Sequence, residues 1–303
     1  MKALVTGATG FVGSRLARHL ADQGYAVSIL ARQTSNFDQL NDLRDRIDVH
    51  LVDNTGKSVR QAVAAARPDV VFHVATYYVF DHRPEDIDKL VEANITFPLH
   101  LVDAMAAEGI GLLVNTGSAW QHFNDAAYDP VCLHSATKQA FQALLAYFVS
   151  AGTIRCATLL LNDTYGPRDP RRKIFALVHD HAGKSTSLPM SGGQQLIELV
   201  HIDDIVRAFR MAGELLRDDD SLRNVEFNVA TGHPLPLRSI VETFIRVAGL
   251  DVAIDWGARP YRGREVMVPW RTGRPVPGWS PQVPLEEGLA GLYGEDEVTK
   301  TGR

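Results

Sequence analysis

The stretch Thr6-Gly7-Ala8-Thr9-Gly10-Phe11-Val12-Gly13 is where residue types and spacing point most directly to chemistry in this 303-residue chain. It follows a short apolar run at 2–6 and precedes a helical pattern. Glycines placed so allow a tight turn, close approach of backbone to a pyrophosphate, and close helix–strand packing. The helix that opens there offers free N–H groups and the positive end of its dipole to phosphates. Gly7, Thr9, Gly10, Phe11, Val12 and Gly13 are therefore the expected cradle of a dinucleotide. A glycine triplet also serves plain turns; its setting between the first strand and the first helix gives it weight.

The second apolar run ends Ile29-Leu30-Ala31-Arg32, followed by Gln33-Thr34-Ser35-Asn36. A carboxylate at this point binds the adenosine ribose hydroxyls and selects NAD, whereas an arginine accommodates a 2′-phosphate. Arg32 and Ser35 thus predict NADP(H), the alternative being a solvated arginine at a strand end. His179-Asp180-His181 suggests a metal site, but i, i+2 spacing does not bring two histidines to one helix face, so solvated helix surface and no metal are expected. His201-Ile202-Asp203-Asp204 reads as a helix start with an aspartate as cap.

The elements that must position these groups follow from the hydrophobic pattern. Strands are expected at 2–6, 26–31, 48–52, 70–74, 111–115, 157–161 and 226–230, with helices at 13–23, 57–66, 86–108, 134–151 and 203–216. Such alternation predicts an α/β fold, a Rossmann-type doubly wound parallel sheet covered on both faces. Past Tyr165, Gly-Pro, Asp-Pro and Gly-Gly pairs break the pattern, and 255–284 reads as an irregular cap. The division expected is a dinucleotide-binding domain at 1–165 with 194–231 returning to it. A smaller C-terminal substrate-binding lobe takes 166–193 and 232–295, and 296–303 forms a flexible tail.

Composition removes other classes. The formal net charge is −5, which leaves no basic footprint for nucleic acid or an anionic membrane. No apolar run approaches the ~20 residues of a membrane span. Two cysteines, Cys132 and Cys156, make no disulfide framework. A cytoplasmic protein is expected.

The Gly7-x-x-Gly10-x-x-Gly13 spacing resembles the extended short-chain dehydrogenase/reductases, the superfamily of nucleotide-sugar epimerases, dehydratases and reductases. So do Asp53-Asn54 after the third strand, Phe72-His73-Val74-Ala75-Thr76 after the fourth, and Val114-Asn115-Thr116-Gly117-Ser118. Thr164-Tyr165-Gly166-Pro167 and Val200-His201-Ile202-Asp203-Asp204 extend the likeness over most of the chain. The resemblance implies cofactor contacts at Asp53, Asn54, Ala75 and Thr76, and places Ser118 on the serine that steadies the reacting oxygen, with strand-end capping as its other role. It implies substrate contacts at Asp163, Thr164, Lys173 and Arg264, the last two near a sugar-nucleotide diphosphate. Residues 115–122 with Ala136-Thr137-Lys138-Gln139-Ala140-Phe141 are most similar to the CDP-abequose and CDP-paratose synthases, 4-keto reductases of nucleotide-linked deoxysugars.

The family's catalytic tyrosine and lysine sit four apart on one helix, and here His134-Ser135-Ala136-Thr137-Lys138 keeps the lysine but replaces the tyrosine. Lys138 is expected at the nicotinamide ribose. For His134 three roles stay open: it is the general acid; it orients while Tyr128, His122, Tyr165 or a water donates; or the site only binds. An imidazolium is competent to donate, yet a neighbouring lysine disfavours it. The implied reaction is NADPH-dependent reduction of the C4 ketone of a nucleoside-diphosphate 4-keto-6-deoxy sugar. A nucleotide-sugar epimerase or dehydratase and a non-catalytic NADP(H) sensor are the rivals. On the helix from His134, Ala140, Phe141, Leu144, Leu145 and Phe148 form the expected core stripe, with Ala136, Ala143 and Tyr147 on a second face. That second face, with the apolar helix before it, predicts a homodimer through 97–108 and 134–151, as the family's bundle implies.

Overall fold

The computed structural model describes residues 1–293, so the tail expected at 296–303 lies outside the described residues. The chain runs β1 (Lys2–Thr6), α1 (Phe11–Asp22), β2 (Ala26–Arg32), β3 (Ile47–Val52), α2 (Gly56–Ala66) and β4 (Val70–His73). It continues α3 (Pro84–Val91), α4 (Phe97–Ala107), β5 (Leu112–Ser118), α5 (Leu133–Ser150), β6 (Arg155–Leu161) and β7 (Asp163–Tyr165). Then come α6 (Ile174–His179), β8 (Leu188–Met190), β9 (Leu196–Ile197), β10 (Leu199–His201), α7 (Ile202–Asp218) and β11 (Asn224–Val229). The last are β12 (Leu235–Pro236), α8 (Leu237–Val247), β13 (Ile254–Trp256) and α9 (Leu285–Ala290).

Seven strands form one parallel sheet in the order β11-β6-β5-β4-β1-β2-β3. The order reverses between β1 and β4, so their carboxyl ends open a crevice at the switch point, where ligands of such sheets bind. Side chains alternate across the pleat. Val5, Ile29 and Phe72 pack with Leu16, Leu20 and Phe209 of α1 and α7 on one face. Leu4, Leu30 and Val71 pack with Val63, Leu101, Met105 and Phe141 of α2, α4 and α5 on the other. A third apolar cluster, around Phe175, Met190, Ile240, Phe244 and Leu289, is the core of the smaller lobe.

Four local expectations are corrected. The helix expected unbroken over 86–108 is α3 and α4 joined by a π-helical turn, Glu92–Thr96, whose extra residue lets Asn94 turn inward. The cap of α7 is not an aspartate: His201 Nδ1 accepts the Asp203 N–H at 3.3 Å, and both aspartates lie inside the first turn. Asp204, 1% exposed, instead takes the N–H groups of Gln282 and Val283, at 3.0 and 3.2 Å. On α5, Ala140 and Leu144 leave the expected core stripe and share an exposed face with Ala143 and Tyr147, while Phe141 and Leu145 are buried. His179 likewise is not solvated surface; its ring stacks on Tyr293 with centroids 3.9 Å apart.

Candidate active site

The turn from β1 to α1 is held from behind by Thr6. Its Oγ1 accepts the N–H groups of Val74 and Ala75 at 3.2 Å each and meets His73 Nδ1 at 2.9 Å, which ties the ends of β1 and β4 together. Gly7 has φ +69°, and a Cβ there would lie 2.6 Å from the Ala75 nitrogen. A Cβ on Gly13 would lie 2.2 Å from the Gly7 carbonyl oxygen. Helix α1 begins at Phe11 with Gly10 as cap, no side chain on its first N–H groups and no carboxylate in its first turn. That leaves an uncompensated positive helix end with a cradle only glycine permits, which fits a pyrophosphate.

Beside it, β2 ends at Arg32. Ser35 closes the turn, its Oγ accepting the Arg32 N–H at 3.1 Å. The Arg32 side chain is exposed and has no ion pair among the described residues. Asp53, at the end of β3, is fixed by the Thr55 N–H and hydroxyl at 3.0 and 2.7 Å, and those hydrogen bonds hold its carboxyl below the usual range. Asn54 adopts φ 67°, its carbonyl meeting His100 Nδ1 at 3.0 Å. The fold thus brings these residues around one crevice with Ala75 and Thr76, which follow β4.

The reacting end centres on Asn94, which no spacing in the sequence marks. Its Oδ1 accepts the Tyr77 N–H at 2.9 Å, and its Nδ2 donates to the Tyr77 carbonyl at 2.9 Å and to Thr137 Oγ1 at 3.0 Å. The same Oδ1 lies 2.9 Å from Thr76 Oγ1, so the Thr76 hydroxyl must donate to it. With its one proton committed, Thr76 accepts from His134 Nε2 at 3.0 Å. His134 is therefore the Nε2–H tautomer, and its Nδ1 is a bare lone pair, buried with no partner among the described residues. Burial, helped by the Lys138 charge, lowers the His134 pKa to about 3, so the ring is neutral. An imidazole in this state holds its proton toward Thr76 and has none at Nδ1 to give.

Lys138 lies one turn further along α5, 4% exposed, and its ammonium has no hydrogen-bond partner or counter-ion among the described residues. Burial lowers its pKa to about 8. An ammonium left this way is the strongest local demand for a polyol or an anion. Ser118 ends β5; its Oγ accepts the Trp120 N–H at 3.2 Å, which caps the strand end and leaves the hydroxyl proton to donate elsewhere.

Between sheet and lobe lies a cleft bordered by Trp120, Asp163, Glu198, Arg262, Arg264 and Trp270 among others. Asp163 faces it, with Lys173 Nζ 3.8 Å away. Thr164 does not face it: the residue is 5% exposed and its hydroxyl accepts from Arg171 at 3.1 Å. Arg264 reaches the cleft already held by Asp129 at 2.6 Å and the Pro130 carbonyl at 3.1 Å. Arg262, which sequence reasoning passed over, borders the same cleft with its guanidinium stacked on Phe80 at 4.5 Å and without an ion pair among the described residues. Its signal was the Arg262-Gly263-Arg264 repeat itself.

Residues 3–230 match the model of the NAD dependent epimerase/dehydratase family. The chain belongs to that family. Among the relatives of this chain is CDP-abequose synthase from Salmonella muenchen, 24% identical over 299 residues that cover 98% of each chain. UDP-glucose 4-epimerase from Mycolicibacterium smegmatis is 26% identical over 310 residues, 96% of each. In fold, the chain is similar to UDP-glucose 4-epimerase from Stenotrophomonas maltophila, solved with NAD and formylated UDP-arabinopyranose. That match has a TM-score of 0.85 at 20% identity and covers 100% of both chains. As a family member, the protein is placed among enzymes of nucleotide-sugar metabolism, and its structural relatives bind a nicotinamide cofactor.

Proposed function

We propose that this protein reduces the C4 ketone of a nucleoside-diphosphate 4-keto-6-deoxy sugar with NADPH. The observation that carries the reading is the Arg32 guanidinium at the end of β2, exposed and without an ion pair among the described residues, where a carboxylate would select NAD. The likeness to CDP-abequose synthases over the whole chain supports it. The cradle from Gly7 to Gly13 would hold the pyrophosphate, Arg32 and Ser35 the 2′-phosphate, and Lys138 the nicotinamide ribose hydroxyls. Asp53 and Asn54 would border the adenine, and Ala75 and Thr76 the adjoining ribose. When bound, the dihydronicotinamide supplies the electron pair and hydrogen that the carbonyl carbon gains. Ser118 points its free proton at the carbonyl oxygen, a fixed dipole aimed at developing charge. His134 orients, locked through Thr76 and Asn94. Asp163 and Lys173 would meet the sugar, and Arg264, steadied by Asp129, would stand with Arg262 near the diphosphate.

We also infer a homodimer in which Leu144 and Tyr147, 39% and 71% exposed on α5, are covered by a second copy; sedimentation of wild type against Tyr147→Glu tests it. A cytosolic setting accords with two unpaired cysteines.

The test is to supply NADPH with CDP-, dTDP- and GDP-linked 4-keto-6-deoxyhexoses and follow its oxidation. Stoichiometric oxidation with one of them is the expected result. Interconversion of a nucleotide sugar without net oxidation would assign an epimerase instead, the reading favoured by the Mycolicibacterium relative. Tight NADP(H) binding with no turnover would assign the sensor that the neutral His134 favours.

A further inference from the structure

With His134 holding its proton toward Thr76, the reduction needs another donor, and the surroundings remove three candidates. Tyr165 is 3% exposed, its hydroxyl packed against Gly288 of α9 in the lobe core. His122 spends its Nδ1–H on the Ala127 and Ala126 carbonyls, at 2.8 and 3.1 Å, its ring stacks on Trp270, and its Nε2 is buried without a hydrogen-bond partner among the described residues. Tyr128 is 54% exposed and touches no residue of the site among the described contacts.

Tyr78 is different. Its ring meets the His134 imidazole edge-on, centroids 5.1 Å apart at 81°, and leans on Trp120 at 6.1 Å. The Trp120 backbone N–H is the one bonded to Ser118 Oγ, so Tyr78 packs against both the orienting histidine and the residue that fixes the serine hydroxyl. The Tyr78 hydroxyl has no hydrogen-bond partner among the described residues, and the side chain is 47% exposed. Water reaches the exposed side of the ring, and Trp120, on which it leans, lines the cleft together with Phe80, two residues after Tyr78. Asp163 and Arg262 of the cleft, with Cys132 and Arg171, act on its charge. Burial and the Asp163 carboxylate raise its pKa, so the resting group is the phenol, the form that has a proton to give.

We propose that Tyr78, in the loop after β4, delivers the proton to the substrate's carbonyl oxygen and so replaces the tyrosine that position 134 lacks, an inference that rests on the ketone-reductase reading above. The Tyr78 Oη–H bond breaks and an O–H bond forms on the carbonyl oxygen. The carbonyl carbon meanwhile gains its hydrogen and electron pair from the bound dihydronicotinamide, so the ketone is reduced and the cofactor oxidised. The phenolate left behind recovers its proton from water at the exposed edge of the ring. His134 is then a positioning residue, the wall against which the Tyr78 ring is set.

Tyr78→Phe keeps that ring contact and removes only the hydroxyl. It should lower kcat by ~10²–10⁴-fold, with KM for the sugar and calorimetric binding of NADP⁺ unchanged. Adding His134→Tyr to Tyr78→Phe should restore part of the rate. The readout free of turnover uses [¹³Cζ]tyrosine protein at neutral pH: the resonance that Tyr78→Phe deletes should move when NADP⁺ is added. Full activity of Tyr78→Phe with an active wild type overturns the proposal and leaves the reductase reading standing. A wild type that reduces none of the 4-keto sugars removes that reading, and the Tyr78 resonance then decides alone. If it moves with NADP⁺, the phenol stands at the reacting end for whichever carbonyl is used; if it stays still, Tyr78 is not the donor.

Discussion

Lys138→Met should make the ligand-free protein more stable, although Lys138 is among the most buried polar residues at the site. Burial takes the Lys138 pKa from 10.5 to about 8. At about 1.4 kcal/mol per pKa unit, keeping the charged form at neutral pH costs the fold on the order of 3 kcal/mol. Between pH 8 and 10.5 the unfolded chain still carries a proton that the folded chain has shed, so stability rises with pH across that window; below it the cost is complete. Methionine fills the same stem without the charge. Urea unfolding without ligand should therefore find the variant about 1–3 kcal/mol more stable than wild type at pH 7, with the gap closing toward pH 10. Taking variant minus wild type at each pH cancels groups common to both, Tyr25 among them, whose pKa is raised to about 12. Ligand should close or reverse the gap, since NADP⁺ at a hundredfold over Kd adds about 2.7 kcal/mol to wild type and much less to the variant. A variant no more stable than wild type at pH 7, or a gap unchanged at pH 10, would refute the uncompensated ammonium and the role built on it.

Arg32→Ala should cost NADPH at least tenfold in affinity, or about 1.4 kcal/mol, while leaving NADH unchanged; titration by fluorescence checks this, and equal losses for both cofactors would contradict the 2′-phosphate assignment. Gly13→Ala forces a Cβ to 2.2 Å from the Gly7 carbonyl; it should destabilise by about 1–3 kcal/mol and abolish dinucleotide binding, as read by melting with and without NADP⁺. For His134, with its pKa lowered from 6.5 to about 3, stability is full above pH 6.5 and is lost as pH falls toward 3, on the order of 5 kcal/mol. Acid unfolding of His134→Phe should lack that part of the slope, and a superimposable acid limb would show that the ring protonates freely.

Much of this was written locally. Strands and helices of the sheet could be read because each follows its own hydrophobic period, and the Gly7–Gly13 turn because its glycines meet steric demands within a few residues. What stayed hidden depends on partners far along the chain. The π-helical turn exists because Asn94 bonds Tyr77 and Thr137, 17 and 43 residues away. Arg264 is engaged by Asp129 across 135 residues, which no motif carries. The exposed face of α5 was misjudged at Ala140 and Leu144 because an apolar helix gives little contrast between its sides. Tyr78 has no spacing signal at all; its adjacency to Ala75-Thr76 at the end of β4 was the only pointer.

The loss of a tyrosine at position 134 changes what Lys138 is for. A phenol one turn away would be acidified by that cation, whereas a neutral imidazole presenting a bare Nδ1 gives it no anion to stabilise. The use proposed for the charge is then toward the cofactor. The resting site is accordingly most strained, in electrostatic terms, before any nucleotide enters: a buried ammonium, an unpartnered Nδ1 and an open helix end lie around one crevice. On the proposed reading the dinucleotide would answer the first and third of these at once, and a sugar in the cleft beside Asp163 would answer neither. Cofactor should therefore bind first and sugar second, and the proton source has to sit where sugar and solvent both reach it. Tyr78 meets that requirement, and the enclosed position 134 does not.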